Sequence, residues 1–261
     1  MVGEEDFGPL LQRLLDRRGL DPTALSRLAA SPPAPALPES ELRAALAGAP
    51  PSPSLLRRLA PALGLHTADL FAIAGVGIPD DLAPLDATAG SRVPYLVRDA
   101  VALPPDQRNA LRRLVASLPQ KQRTQPVPET PRHQQYPPGP GALLMRMIRT
   151  RNLGWTATAH TFLVLTGRYW SAATYGGVGR GRKPLTPDLV ADFAALLDVP
   201  AADLEALTGV SPPTTSTSPT PAVPGVAELI WDVRRLTASQ LRHVGDTAEA
   251  MREQLPDGGP V

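Results

Sequence analysis

LLMRMIRTRNL, residues 143–153, is a second version of LLQRLLDRRGL, residues 10–20, at an offset of 133. The correspondence extends along the chain: TADLFAIAGV at 67–76 returns as AADLEALTGV at 201–210, offset 134. YLVRDAVALPPDQ at 95–107 returns as ELIWDVRRLTASQ at 228–240, offset 133, with Leu, Asp, Leu and Gln at equivalent places. Matches at one near-constant offset indicate a tandem duplication of one unit, a compact helical head followed by a short amphipathic helical pair. The heads are expected at 1–90 and 141–210, and the pairs at 91–119 and 225–255. Two proline-rich stretches without apolar periodicity, 120–140 and 211–224, are expected to be flexible linkers.

In the second head Leu143, Leu144, Met147 and Ile148 recur at helical spacing. A second helix is expected over about 158–165, a turn at Thr166-Gly167, and a third helix over about 169–175 that the following glycines end. Thr186 should cap a fourth helix with Pro187 at its first position, on the apolar stripe Leu189, Val190, Phe193, Leu196 and Leu197. A fifth helix, around 201–208, should stop at Gly209. No strand alternation competes with this pattern, so the expected class is all-α.

YGGVGRGRKPLTPDLV, residues 175–190, invites two readings, nucleotide or nucleic-acid phosphate. A P-loop requires G-x-x-x-x-G-K-[ST] after a buried strand. Gly176 and Gly181 are correctly spaced, but Arg182 and Lys183 occupy the Lys and Ser/Thr positions, Pro184 follows, and GRYWSAATY is no strand. The phosphodiester reading is left, beside that of a solvated structural loop. Charge favours the former: from Thr130 to Pro187 no acidic residue occurs, while Arg132, Arg146, Arg149, Arg151, Arg168, Arg180, Arg182 and Lys183 all do. Gathered on one face, they would make a positive field that attracts phosphate.

The segment LTGRYWSAATYGGVGRGRKPLTPDLVADFAALLDVPAADLEAL, residues 165–207, resembles the phage-repressor-like, or XRE, family of helix-turn-helix regulators. The resemblance rests on helix spacing, the Gly turn, the small basic loop and a fourth helix of the type LVADFAALLDV, matched in the first copy by LLRRLAPALGL. It implies two lambda-repressor-like helix-turn-helix heads and double-stranded DNA as partner. The family's contact positions would fall on Arg168, Tyr169, Trp170, Ser171 and Thr174, with Arg180, Arg182 and Lys183 on phosphate. The chain departs from the family's usual residues at Trp170, Ala173 and Gly177. Ser171 and Thr174 share a helical face suited to base edges. Trp170 and Tyr169 fit either core or contact, whereas Trp155 and Phe162 are expected in the core.

The first head keeps the frame without the chemistry. Residues 1–90 hold seven bases against eleven acids, and Glu39 and Glu41 stand in the presumed third helix. This copy is expected to bind DNA weakly or not at all, and to pair with another copy or bind a protein partner instead. The stripe Val226, Leu229, Ile230, Val233 and Leu236, with Leu241, Val244, Ala248 and Met251 after it, is too large for a small pair to bury alone; it should pack on a head or on its twin, and a homodimer is expected.

With no cysteine, the chain has no disulfide framework, thiolate metal site or cysteine nucleophile. Its four histidines show no metal-ligand spacing, and no G-x-S-x-G elbow occurs. No catalytic residue, cofactor or metal is therefore expected. The lack of a run of about eighteen apolar residues and of a charged-apolar-small leader sets the expectation of a cytoplasmic protein without a membrane partner. Two functions fit: a sequence-specific DNA-binding transcriptional regulator working through the second head, or a protein-interaction scaffold on a degenerate helix-turn-helix frame.

Overall fold

A computed structural model describes residues 6–28, 38–123, 126–213 and 223–255. Those residues are all-α, with fourteen α-helices and no strand. The first copy contributes α1 (Phe7–Arg18), α2 (Pro22–Leu28), α3 (Glu39–Leu46), α4 (Pro53–Ala62), α5 (Thr67–Ile73), α6 (Val93–Ala102) and α7 (Pro105–Ser117). The second contributes α8 (Pro140–Thr150), α9 (Trp155–Thr166), α10 (Ala172–Gly179), α11 (Pro187–Leu197), α12 (Ala201–Thr208), α13 (Val226–Val233) and α14 (Ala238–Glu253). Each helix of the second copy starts 133 or 134 residues after its counterpart.

The repeat is written in the helix ends. Ser52 and Thr186 cap α4 and α11, each accepting a hydrogen bond from the backbone NH three residues on, with proline next in sequence. Gly19 and Asn152 end α1 and α8 at φ 62° and 64°; Gly64 and Asp198 follow α4 and α11 at 57° and 54°. Asn and Asp are the non-glycine residues that best tolerate this left-handed conformation, so the second copy keeps the turns after losing the glycines. Gly8 and Gly141 allow the first helix of each copy to lie against the third. A Cβ on Gly8 would stand 2.7 Å from the Ala45 carbonyl oxygen, and one on Gly141 2.2 Å from that of Val178.

Within the second head, Tyr175 stacks on Phe162 at 5.3 Å, and Phe193 meets Phe162 edge-on at 5.2 Å. All three rings are fully buried. Phe162 thus joins the core as expected, while Trp155 is half-buried at its margin.

The two copies share one hydrophobic core. α1 packs on α12, and α8 packs on α5, so each first helix lies against the fifth helix of the other copy. The polar contacts are reciprocal. Arg151, itself fully buried, bonds Asp69 and donates to the Leu197 carbonyl at 2.7 Å; Arg18 bonds Asp203 and donates to the Leu63 carbonyl at 2.6 Å. Arg146 donates to the Ala72 carbonyl at 2.9 Å and Arg13 to that of Ala206 at 2.7 Å. In the pairs the correspondence holds for the helices and for one partner only: the equivalent Asp232 and Asp99 each meet an arginine of the other copy, Arg112 at 2.9 Å and Arg252 at 3.0 Å, which are not themselves equivalent positions. Contacts in which i meets j and the equivalent of j meets the equivalent of i are those of a twofold interface, here built within one chain.

Three expectations change accordingly. The copies are not separate bodies on a tether, because a buried ion pair and a common core join them. Nor is the second half of the 120–140 segment loose. Residues 132–134 form a 3-10 turn, and the Tyr136 hydroxyl accepts from Trp155 Nε1 at 2.6 Å. The apolar stripe that motivated a homodimer is also covered within the chain. Val226, Leu229, Ile230, Val233, Leu236, Leu241, Val244 and Ala248 are buried, with α13 and α14 packed on α6 and α7. Of the 211–224 linker, residues 214–222 lie outside the described residues.

Candidate nucleic-acid interface

α9, a short turn and α10 present the region that carried the resemblance, but α10 runs later than its glycines suggest. It spans Ala172–Gly179 instead of ending at Tyr175, and α9 begins at Trp155 instead of about 158. Glycine is a poor helix former, by about 1 kcal/mol relative to alanine, so packing must override propensity here. The reason is space. A Cβ on Gly176 would lie 2.7 Å from the Trp155 ring and one on Gly179 2.6 Å from the Tyr136 ring. These glycines let two aromatic side chains close on the helix. Within 175–183 only Gly181 adopts positive φ, 66°. Gly176 and Gly179 therefore serve the packing of the helix.

The eight contact candidates separate into two groups. Arg168 is turned inward: Nη1 lies 2.8 Å from Asp188 and Nε 3.3 Å from Asp192, with the side chain 16 % exposed. Trp170 is half-buried and donates from Nε1 to Asp192 at 2.9 Å, which places it with the core alternative. Burial pushes the Asp192 carboxyl above its ordinary range, against the opposing pull of Trp170 and Arg168. Thr174 is buried, with its hydroxyl 3.0 Å from Ser171 Oγ and 3.3 Å from Lys183 Nζ. It is thus withdrawn from the surface on which it was expected to reach a base. Arg168 and Trp170 tie the turn before α10 to α11, and Thr174 ties the start of α10 to the loop that holds Lys183.

Of the other five, four are exposed and Arg180 is half-buried. Tyr169 is 62 % exposed, and Ser171 stands exposed at the N-cap of α10. Arg180 lies 5.1 Å above the Trp155 ring and donates to the His133 carbonyl at 2.6 Å. Arg182 and Lys183 are exposed in the loop that follows. The 3-10 turn packed beside α10 adds exposed Arg132, which was counted in the acid-free window but not as a contact. Its signal was present in the charge run and obscured by its place in a proline-rich segment.

That window is less a surface property than its composition implies. Arg146, Arg149, Arg151 and Arg168 bond to groups of the fold, Arg149 to the Thr130 hydroxyl, and the carboxylates among their partners, Asp69, Asp188 and Asp192, come from outside 130–187. What remains outward is a compact patch of Arg132, Arg180, Arg182 and Lys183. At the matching place in the first copy Glu39 pairs with Arg43 at 2.7 Å, and Glu41 takes a hydrogen bond from Ser52. A duplex approaching there would meet carboxylates, which repel phosphate.

Among the described residues no helix is long and apolar enough to cross a membrane. Comparison with known proteins finds no family model, no curated protein and no solved structure that matches this chain, so the functional reading rests on the geometry above.

Proposed function

We propose that the chain is a DNA-binding transcriptional regulator that meets double-stranded DNA through its second head. The observation that carries this reading is the patch of four cations beside α10, Arg180 half-buried and the other three exposed. Arg132, Arg180, Arg182 and Lys183 contact phosphates, and Tyr169 and Ser171 at the start of α10 face the base edges. Phosphate contacts position a protein on the duplex, whereas side chains in the groove read sequence, so the two groups have different tasks. The internal pairing of Arg168 and Thr174 leaves sequence reading to few side chains, and the specificity of this head is modest.

The asymmetry of the copies gives the reading a further consequence. Helix-turn-helix dimers occupy two half-sites and favour palindromic operators. Here one chain has the reciprocal architecture of a dimer but a basic surface on only one copy. Its preferred site is a single, non-palindromic half-site. Selection of bound duplexes from a random pool tests this. Enrichment of one short asymmetric motif, weakened by Ser171→Ala and Tyr169→Ala, supports the proposal. A pool that returns unenriched, or a palindrome, sinks it; the former outcome favours the protein-interaction scaffold.

A further inference from the structure

Two arginine doublets, far apart in sequence, line one groove. Arg112 and Arg113 on α7 and Arg234 and Arg235 after α13 border an open cavity of about 640 Å³, together with Asn109, Gln120 and Asp232. The groove belongs to the helical pairs and not to the head that carries α10. Among the described residues Asp232 is the one carboxylate in the lining, and Arg112 already holds it at 2.9 Å. Asp81, a carboxylate within electrostatic reach of Arg235, is bonded to Arg57 at 2.7 Å.

The arginines of the second doublet are held close together with donors unfilled. Arg234 lies flat on Trp231, 3.5 Å from the ring centre, and donates from Nη1 to the Trp231 carbonyl at 3.0 Å. His66 stacks on the same ring at 3.6 Å, so both faces of the indole are occupied. The Nε atoms of Arg234 and of Arg235 are buried and have no hydrogen-bond partner among the described residues. Buried donors are ordinarily paired, and like charges crowded together destabilise each other. Burial and the nearby Arg235 and Arg151 bring the Arg234 guanidinium down to about 10. Four guanidinium groups bordering one open cavity, whose carboxylate Asp232 is already held by Arg112, are complementary to a ligand with several anionic oxygens.

We propose that this groove binds a small phosphate-bearing anion. Guanidinium groups match phosphate oxygens through paired, charge-assisted hydrogen bonds, which a diffuse lysine surface does not reproduce. The volume lies within the range of small-molecule sites. With both faces of Trp231 covered, no aromatic platform is left to stack a base, so the phosphate is the recognised part. Arg113 and Arg235 supply the charge not spent on internal partners. Arg234 fixes the groove wall.

Calorimetric titration of the full chain with pyrophosphate, at about physiological ionic strength in chloride, tests the site. The wild type is expected to show saturable binding with one site per chain. Arg113→Ala with Arg235→Ala should weaken it by about tenfold or more. Arg182→Ala with Lys183→Ala, which alters the patch beside α10, should leave it unchanged. Arg113→Ala alone, at an exposed position that does not endanger folding, should weaken it by at least about threefold. Absence of saturable binding overturns the proposal, as does equal weakening by the Arg182/Lys183 pair. So does a double variant that loses duplex DNA affinity in a protein that never bound pyrophosphate, since the groove would then be part of a DNA path.

Discussion

Arg151→Met replaces a fully buried guanidinium by an apolar chain of similar length and leaves Asp69, also fully buried, without its cation. Thr150 Oγ1 still donates to that carboxylate at 2.8 Å, but Asp69 Oδ2 has no partner even in the intact protein. The Leu197 carbonyl loses its donor as well. Breaking a buried pair from one side costs about 3–5 kcal/mol, because a charge stays behind in a poorly solvated place. The reciprocal change, Arg18→Met, removes a side chain that is 22 % exposed, so water can partly replace it at Asp203. A cost of about 1.5–3 kcal/mol follows there, the range for hydrogen bonds to charged groups. Urea unfolding followed by far-UV circular dichroism should show the difference. At a slope of about 3 kcal/mol/M the midpoint of Arg151→Met falls by about 1–1.7 M, and Arg18→Met falls by less. The wild type should also unfold both copies together, because their cores are continuous. A cost below about 1 kcal/mol for Arg151→Met, or two separate transitions in the wild type, would refute the shared-core reasoning.

Other consequences follow from single groups. Burial lowers His66 to about 4, so the unfolded chain takes up the proton first as pH falls. Stability is full above about pH 6.5 and declines as pH falls from there to about 4, by about 1–2 kcal/mol once partial exposure is allowed for; His66→Gln should flatten that part of the decline in urea midpoints between pH 7 and 4.5. Gly141→Ala forces a Cβ onto the Val178 carbonyl and should cost about 2–3 kcal/mol, whereas Gly177→Ala meets only the movable Lys183 side chain and should be neutral or stabilising by up to about 1 kcal/mol. Thermal melts of the two variants check this pair, and a Gly177→Ala protein as damaged as Gly141→Ala would contradict the packing described for α10.

The duplication was legible because each copy repeats the residues that begin and end its helices. Thr186 with Pro187, and Gly209 after α12, are placed as the sequence implies. The relation between the copies was not legible. Arg18 and Arg151 look like ordinary cations at helix ends, and nothing local tells that Asp203 and Asp69 will be brought to them from the other copy. The same long-range packing misled the reading of α10. Glycines that would end an isolated helix were required by Trp155 and Tyr136, one of them in a segment that reads as linker. Arg168 and Thr174 illustrate the limit at the site itself: residue type and helical phase suit DNA contact, but Asp188, Asp192 and Lys183 bond them from positions farther along the chain.

Affinity for a labelled duplex, measured by fluorescence anisotropy across a series of salt concentrations, tests the central claim most directly. Each neutralised phosphate contributes about 0.9 to the slope of log affinity against log salt, so the four-cation patch predicts a slope of roughly −3 to −4. Arg180→Ala/Arg182→Ala/Lys183→Ala should reduce that slope by about 2–3 and weaken binding to every duplex alike. A wild type whose affinity ignores salt, or a triple variant with unchanged slope and affinity, would contradict DNA binding through this face.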